Sequence, residues 1–186
     1  IMVTQWINIL LIVSESWVVF RNMRKRMHYY LFVNCMSMLL CSTGSLLMFF
    51  VETEEAGFIS FMLSWAGKVG VVVSMFFFCI KLCESKLPVI ITAIESGFAV
   101  VTYIIIATTK RTGLFYRDFR LVKDGDLTIL EYTEGPWYML WNVTIVAVIL
   151  TCLIMLFKAI SREKIPRKRK KYITIIIALL IEIVIG

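Results

Sequence analysis

The chain has 186 residues, 20 Lys and Arg against 13 Asp and Glu, a net charge of +7 and 60% hydrophobic residues. Its mean hydropathy of +0.84 is far above that of soluble domains, where roughly half the residues are apolar, so the composition excludes a water-soluble globular enzyme and makes lipid the solvent. The positive charge sits in short stretches between apolar runs, which makes it a topology signal and argues against nucleic acid as a partner.

The apolar runs cover residues 2–20, 30–51, 58–80, 87–108, 137–160 and 172–186. Five approach the ~20 residues that cross a bilayer; the sixth stops after 15. The predicted fold is an all-α polytopic transmembrane helix bundle with six spans present, the last truncated and a seventh missing, plus an extracytoplasmic β-hairpin. The chain begins at Ile1 and stops in an apolar run, so residues 1–186 read as one transmembrane domain, incomplete at the C-terminus, with 109–136 inserted between the fourth and fifth helices. Cys35, Cys41, Cys79, Cys83 and Cys152 all lie in or beside apolar runs and read as reduced, packed thiols.

The first helix carries Gln5, Trp6, Asn8 and Glu15, and polar groups in lipid face protein or water, so one side of it looks into the bundle. Arg21, Arg24, Lys25 and Arg26 follow without an acid; His28 beside them has no assigned role. The second helix holds Ser37, Ser42, Thr43, Gly44 and Ser45, small residues that permit close helix approach. Glu52, Glu54 and Glu55 come next without a base.

The third helix places Ser64, Trp65 and Lys68 on one face, with Lys68 near mid-span and Gly67 and Gly70 making room for a neighbouring backbone. A lysine at that depth costs at least ~2.5–3.5 kcal/mol to insert and calls for an anionic partner. The tight connection through Lys81, Glu84 and Lys86 makes the third and fourth helices antiparallel neighbours, and Glu95 of the fourth reaches a similar depth. Two readings stand side by side: a structural Lys68–Glu95 ion pair that fixes register, or part of a ligand site.

Residues 110–136 form the one long polar segment, with five basic and five acidic residues. Two alternating stretches flank Asp124-Gly125, a tight-turn dipeptide, and predict a hairpin. A two-residue loop there sets Val122 opposite Leu127, Phe119 opposite Leu130 and Asp118 opposite Glu131, the last an unfavourable pair. Gly135-Pro136 ends the second strand, and Trp137, Tyr138, Trp141 and Asn142 open the fifth helix. Asn142-Val-Thr144 is a glycosylation sequon by chance, since it lies within a span.

Lys158, Arg162, Lys164 and residues 167–171 then supply eight cations against Glu163. Retention of a cytoplasmic end explains the cluster, and contact with anionic lipid head groups is the second reading. Glu182 lies mid-way along the sixth run. With the basic connections inside, the N-terminus and the hairpin are outside, and the location is the cell inner (plasma) membrane.

Depth groups Trp65, Lys68, Glu95, Tyr103, Trp141 and Asn142 around one expected cavity beneath the hairpin, with aromatic walls and a few polar groups. Lys68 would attract an anionic ligand group, and a dominant Glu95 an amine. No nucleotide, metal-hydrolase or nucleophile-elbow motif is present, so no catalytic residue, cofactor or metal is assigned.

The order of elements, with the basic first loop, Phe58-Ile-Ser-Phe-Met-Leu-Ser-Trp-Ala-Gly-Lys68-Val-Gly70, and Asp124-Gly125 leading to Leu130-Glu-Tyr-Thr-Glu-Gly-Pro136 before an aromatic helix start, resembles the N-terminal seven-helix sensor region that precedes bacterial histidine kinases and, in some chains, diguanylate cyclases. The resemblance covers nearly the whole chain and departs from the family at the end, where a seventh helix and an output domain are absent. It implies a receptor domain that couples a ligand or membrane signal to a cytoplasmic kinase or cyclase, with no enzyme activity of its own. Membrane lipid, a small-molecule ligand and a second copy in the full-length protein are its expected partners. The rival reading is a small transporter or channel with a path along Lys68, Glu95 and Glu182, against which stands the lack of an internal repeat.

Overall fold

The fold was analysed in a computed structural model that describes residues 2–23, 26–85, 88–124 and 127–185. The elements in chain order are α1 (Met2–Arg21), α2 (Arg26–Leu47), a 3-10 turn (Met48–Phe50), α3 (Glu54–Leu82), α4 (Val89–Ala107), the one-turn α5 (Thr109–Thr112), β1 (Tyr116–Asp124), β2 (Leu127–Glu134), α6 (Pro136–Arg162) and α7 (Pro166–Ile185). Each apolar run is therefore a helix. Among the described residues four helical segments are long and apolar enough to cross a membrane: Met27–Phe50, Glu54–Leu82, Val89–Ala107 and Pro136–Arg162.

Helix starts follow local chemistry. α3 begins at Glu54, ahead of its apolar run, because Thr53 Oγ1 accepts from the Ala56 N–H at 3.3 Å and Glu54 and Glu55 lie in a first turn that favours anions. Pro136 opens α6, where its missing N–H costs nothing.

α3 is the central helix, packing on α2, α4, α6 and β1. Half of its apolar window is buried, against 17–22% in the other three spans. The α2–α3 crossing is made of small residues, as expected from both sequences. A methyl group on Gly67 would meet the Cys41 backbone, one on Gly44 the Ser64 backbone and one on Gly70 the Ser37 hydroxyl. Polar groups close the same crossing: Asn34 Nδ2 donates to Ser74 Oγ (3.0 Å) and to Val71 O (3.3 Å), and the Ser45 and Ser64 hydroxyls lie 3.1 Å apart.

Two buried clusters lie at opposite ends of α3. At the hairpin end are Phe61, Trp65, Val69, Ala99, Ile106, Phe115, Tyr116 and Trp141. At the basic end are Phe76, Phe78, Cys79 and Ile80 of α3, Val148, Cys152, Met155 and Leu156 of α6, and Ile176 of α7. α3 and α6 run through both.

The hairpin forms, with a different register from the one expected. Val122 pairs with Ile129, Leu121 with Leu130, Arg120 with Glu131 and Asp124 with Leu127, while Tyr116 pairs with Glu134 and Arg117 with Thr133. Asp124 thus belongs to the strand; its expected turn partner Gly125 lies outside the described residues. The shift sets opposite charges, Arg120 and Glu131, across from each other in place of two acids. An extra residue is absorbed between Arg117 and Arg120, where Asp118 takes a positive φ of 53° and its Oδ2 accepts from Thr133 Oγ1 at 3.2 Å, the geometry of a β-bulge.

Candidate functional site

The hairpin is built into the end of the bundle by backbone and aromatic contacts. α5 ends at Gly113 in the left-handed region (φ 62°), its N–H bonded to Thr109 O at 2.9 Å, and this turns the chain back over the helices. Thr109, 2% exposed, uses one hydroxyl twice: it accepts from the Tyr116 N–H (2.9 Å) and donates to Tyr116 O (3.1 Å). The Gly135 N–H donates to Phe115 O (2.8 Å) and the Trp137 N–H to Leu114 O (3.0 Å). Any side chain at Gly135 would collide with the Leu114 carbonyl. Lys110 adds an ion pair to Glu54 at 3.0 Å, and its Nζ stands 4.9 Å from the Phe58 ring centre.

These bonds seat two adjacent aromatics from β1 and its approach among the helices. Phe115, fully buried, meets Trp65 edge-on at 4.7 Å and Tyr138 at 5.6 Å. Tyr116 lies 5.5 Å from Phe61, 5.3 Å from Tyr138 and 4.0 Å from Tyr132 of β2. On the α4 side Phe98 stacks on both Trp137 (5.7 Å, 15°) and Trp141 (6.3 Å, 8°), and Trp137 Nε1 donates to the buried Thr102 Oγ1 at 3.1 Å. Such ring pairs add ~0.5–1.5 kcal/mol each beyond their burial, so the seat joins α3, α4, α6 and the hairpin into one packed unit. Burial first, then Tyr132 and Tyr138, holds the Tyr116 phenol above its ordinary value of 10. Above the seat Asp118, Arg120, Glu131, Tyr132 and Thr133 line an open, polar concavity of about 460 Å³.

The six residues singled out from the sequence separate into three settings. Trp65 and Trp141 are buried in the one aromatic cluster. Lys68 and Asn142 are exposed, the Lys68 Nζ standing 4.6 Å from the Trp65 ring centre. Tyr103 and Glu95 are half-buried, and Glu95 Oε1 is enclosed without a hydrogen-bond partner among the described residues. No ion pair joins Lys68 to Glu95 among the described residues; the pairs seen are Lys110–Glu54 and Lys168–Glu163. The Glu182 side chain lies outside what the structure describes.

Phe98, Thr102, Thr109, Phe115 and Tyr116 escaped the sequence reading. The Phe115-Tyr116 doublet at the edge of the polar segment was the available signal, since two large aromatics entering a strand mark a buried base. Nothing in the sequence distinguishes Thr109 from its neighbour Thr108. No curated protein and no solved structure matches the chain. A family model described as the N-terminal 7TM region of histidine kinase matches residues 2–186. The chain therefore belongs to the family of N-terminal seven-transmembrane regions of histidine kinases.

Proposed function

We propose that this membrane signal-input region receives its signal at the hairpin end and passes it through α3 and α6 to α7 at the basic end. The observation that carries the reading is the seat itself: Phe115 and Tyr116 of the hairpin pack directly on Trp65 of α3. α3 is a single 29-residue helix, about 43 Å long at 1.5 Å per residue, and its far end packs on α6 and α7. A change in how the hairpin sits on Trp65 alters the packing of Phe76, Cys79 and Ile80 against Cys152, Leu156 and Ile176 without any helix having to bend. The loop charges support a cytoplasmic location for residues 21–28 and 161–171 and an extracytoplasmic one for 109–136, so the signal comes from outside and the output lies within.

For a small-molecule ligand, Glu95 is the polar contact we favour among the six residues. An intramembrane carboxylate is expensive without a partner, and its enclosed oxygen has none among the described residues. Lys68, turned to the surface over Trp65, leaves it unneutralised, which favours an amine-bearing ligand bounded by Tyr103, Trp141 and Asn142. A transport path along Lys68, Glu95 and Glu182 gains no support from this arrangement, since Lys68 and Glu95 do not meet.

The test uses the full-length protein. Thr112→Cys reacts with an impermeant thiol reagent from outside and Ser161→Cys does not; the reverse pattern overturns the orientation. Glu95→Gln and Trp141→Ala abolish the response to the natural stimulus while the protein stays folded. Folded variants that respond unchanged overturn the ligand site.

A further inference from the structure

We infer that the start of α7 is a docking collar for anionic lipid head groups, so that the charge of the surrounding leaflet sets how this helix is held. The collar rests on the reading of α7 as a membrane helix. Arg167, Lys168, Arg169, Lys170 and Lys171 occupy its first two turns, and all five are exposed. At 100° per residue they point all round the axis, so no single face of these turns is available for packing on the bundle. Lys158, Arg162 and Lys164 are exposed beside them at the end of α6. The acid in the stretch, Glu163, is engaged: it pairs with Lys168 at 3.6 Å and accepts from the Ile165 N–H at 3.0 Å.

Three features point to lipid. The five cations from Arg167 to Lys171 span about 6 Å along the axis, within the ~5–7 Å of one head-group layer, and apolar residues begin directly after, at Tyr172 and Ile173. The charge exceeds what retention needs, since the other two basic connections carry four cations (Arg21, Arg24, Lys25, Arg26) and two (Lys81, Lys86). The cations also stand at a helix N-terminus, where the macrodipole disfavours them, and the first turn holds no acid to compensate; anions from outside the chain relieve both repulsions. Head-group phosphates meet these demands where the collar already lies.

The experiment reconstitutes the full-length protein in nanodiscs of mixed phosphatidylglycerol and phosphatidylcholine and measures, by mass spectrometry, the lipids retained after gentle extraction. The expected result is enrichment of phosphatidylglycerol about fivefold or more over the bulk ratio, falling towards unity as ionic strength rises to about 1 M and the screening length shrinks to about 3 Å. Changing Lys168, Lys170 and Lys171 together to Arg keeps the enrichment, and changing residues 168–171 to Gln removes it. Equal retention of the two lipids by the unaltered protein overturns the inference. So does enrichment abolished by millimolar inorganic phosphate, which marks a site for soluble anions. Labelling at Ser161→Cys in sealed intact cells, where an impermeant reagent reaches one face alone, reports topology independently, so a failed collar and a wrong orientation give different results.

Discussion

Thr109→Val isolates the hairpin seat with little change of shape, because valine is isosteric with threonine and only the hydroxyl is lost. That hydroxyl serves both polar groups of Tyr116, at 2.9 Å and 3.1 Å, in a site 2% exposed. Its removal leaves one N–H and one C=O enclosed without partners, at ~1–3 kcal/mol each. Taking the lower end for both gives about 2 kcal/mol, or roughly a 30-fold rise in the population with the hairpin lifted, at 1.4 kcal/mol per factor of ten. Hydrogen exchange of the reconstituted protein reads this population. The Gly135 and Trp137 amides, bonded to Phe115 O and Leu114 O, should exchange about 30-fold faster, while amides at the α2–α3 crossing keep their protection. If Gly135 and Trp137 exchange within about threefold of the unaltered protein, Thr109 does not hold the hairpin and the seat is held by its rings alone.

Gly67→Leu should destabilise the chain by ~1–3 kcal/mol or more in SDS-induced unfolding, because a methyl alone meets the Cys41 backbone; Gly97→Leu, where an added carbon meets nothing, should leave the curve in place. Trp137→Phe keeps the stack on Phe98 and loses the bond to Thr102, an expected cost of about 1 kcal/mol in the same assay; a curve unmoved by the change removes that bond from the account. The Tyr116 phenol has its pKa raised by burial and by Tyr132 and Tyr138. It therefore binds its proton more tightly folded than unfolded, and its contribution is fully present below pH 10, the ordinary value, and lost as pH rises beyond it. Near-ultraviolet circular dichroism should show the aromatic signal of the seat collapsing above that pH, and Tyr116→Phe should shift the collapse upward; identical curves contradict the assignment.

The helices were legible because lipid demands long apolar runs, and close approach on α2 and on α3 because Gly44, Gly67 and Gly70 declare it, while that these two helices meet each other came from the structure. The hairpin was legible as an element and misread in register. Asp124-Gly125 suggested a two-residue turn at that dipeptide, whereas the pairing from Arg120 to Asp124, with Arg120 matched to Glu131, is offset by two, and the bulge at Asp118 reduces the offset to one at Tyr116 and Arg117. Local turn chemistry carries no information about a bulge six residues away. The candidate site was legible by depth and not by direction. Trp65 and Trp141 do share one cluster, while Lys68, about 60° round the helix from Trp65, is exposed with its ammonium over the Trp65 ring; sequence alone does not say which edge of a helix face meets a neighbour.

The most direct test of signal transfer from seat to output is the ATP-dependent autophosphorylation rate of the full-length protein in nanodiscs, compared between the unaltered protein and Thr109→Val after exchange has shown the hairpin lifted. The substitution lies in the hairpin seat, and α3 and α6 connect that seat to the cluster holding α7. If the seat drives the output, the rate changes by about fivefold or more, since a shift of about 1 kcal/mol in a two-state equilibrium is enough for that. An unchanged rate with the hairpin lifted contradicts the coupling.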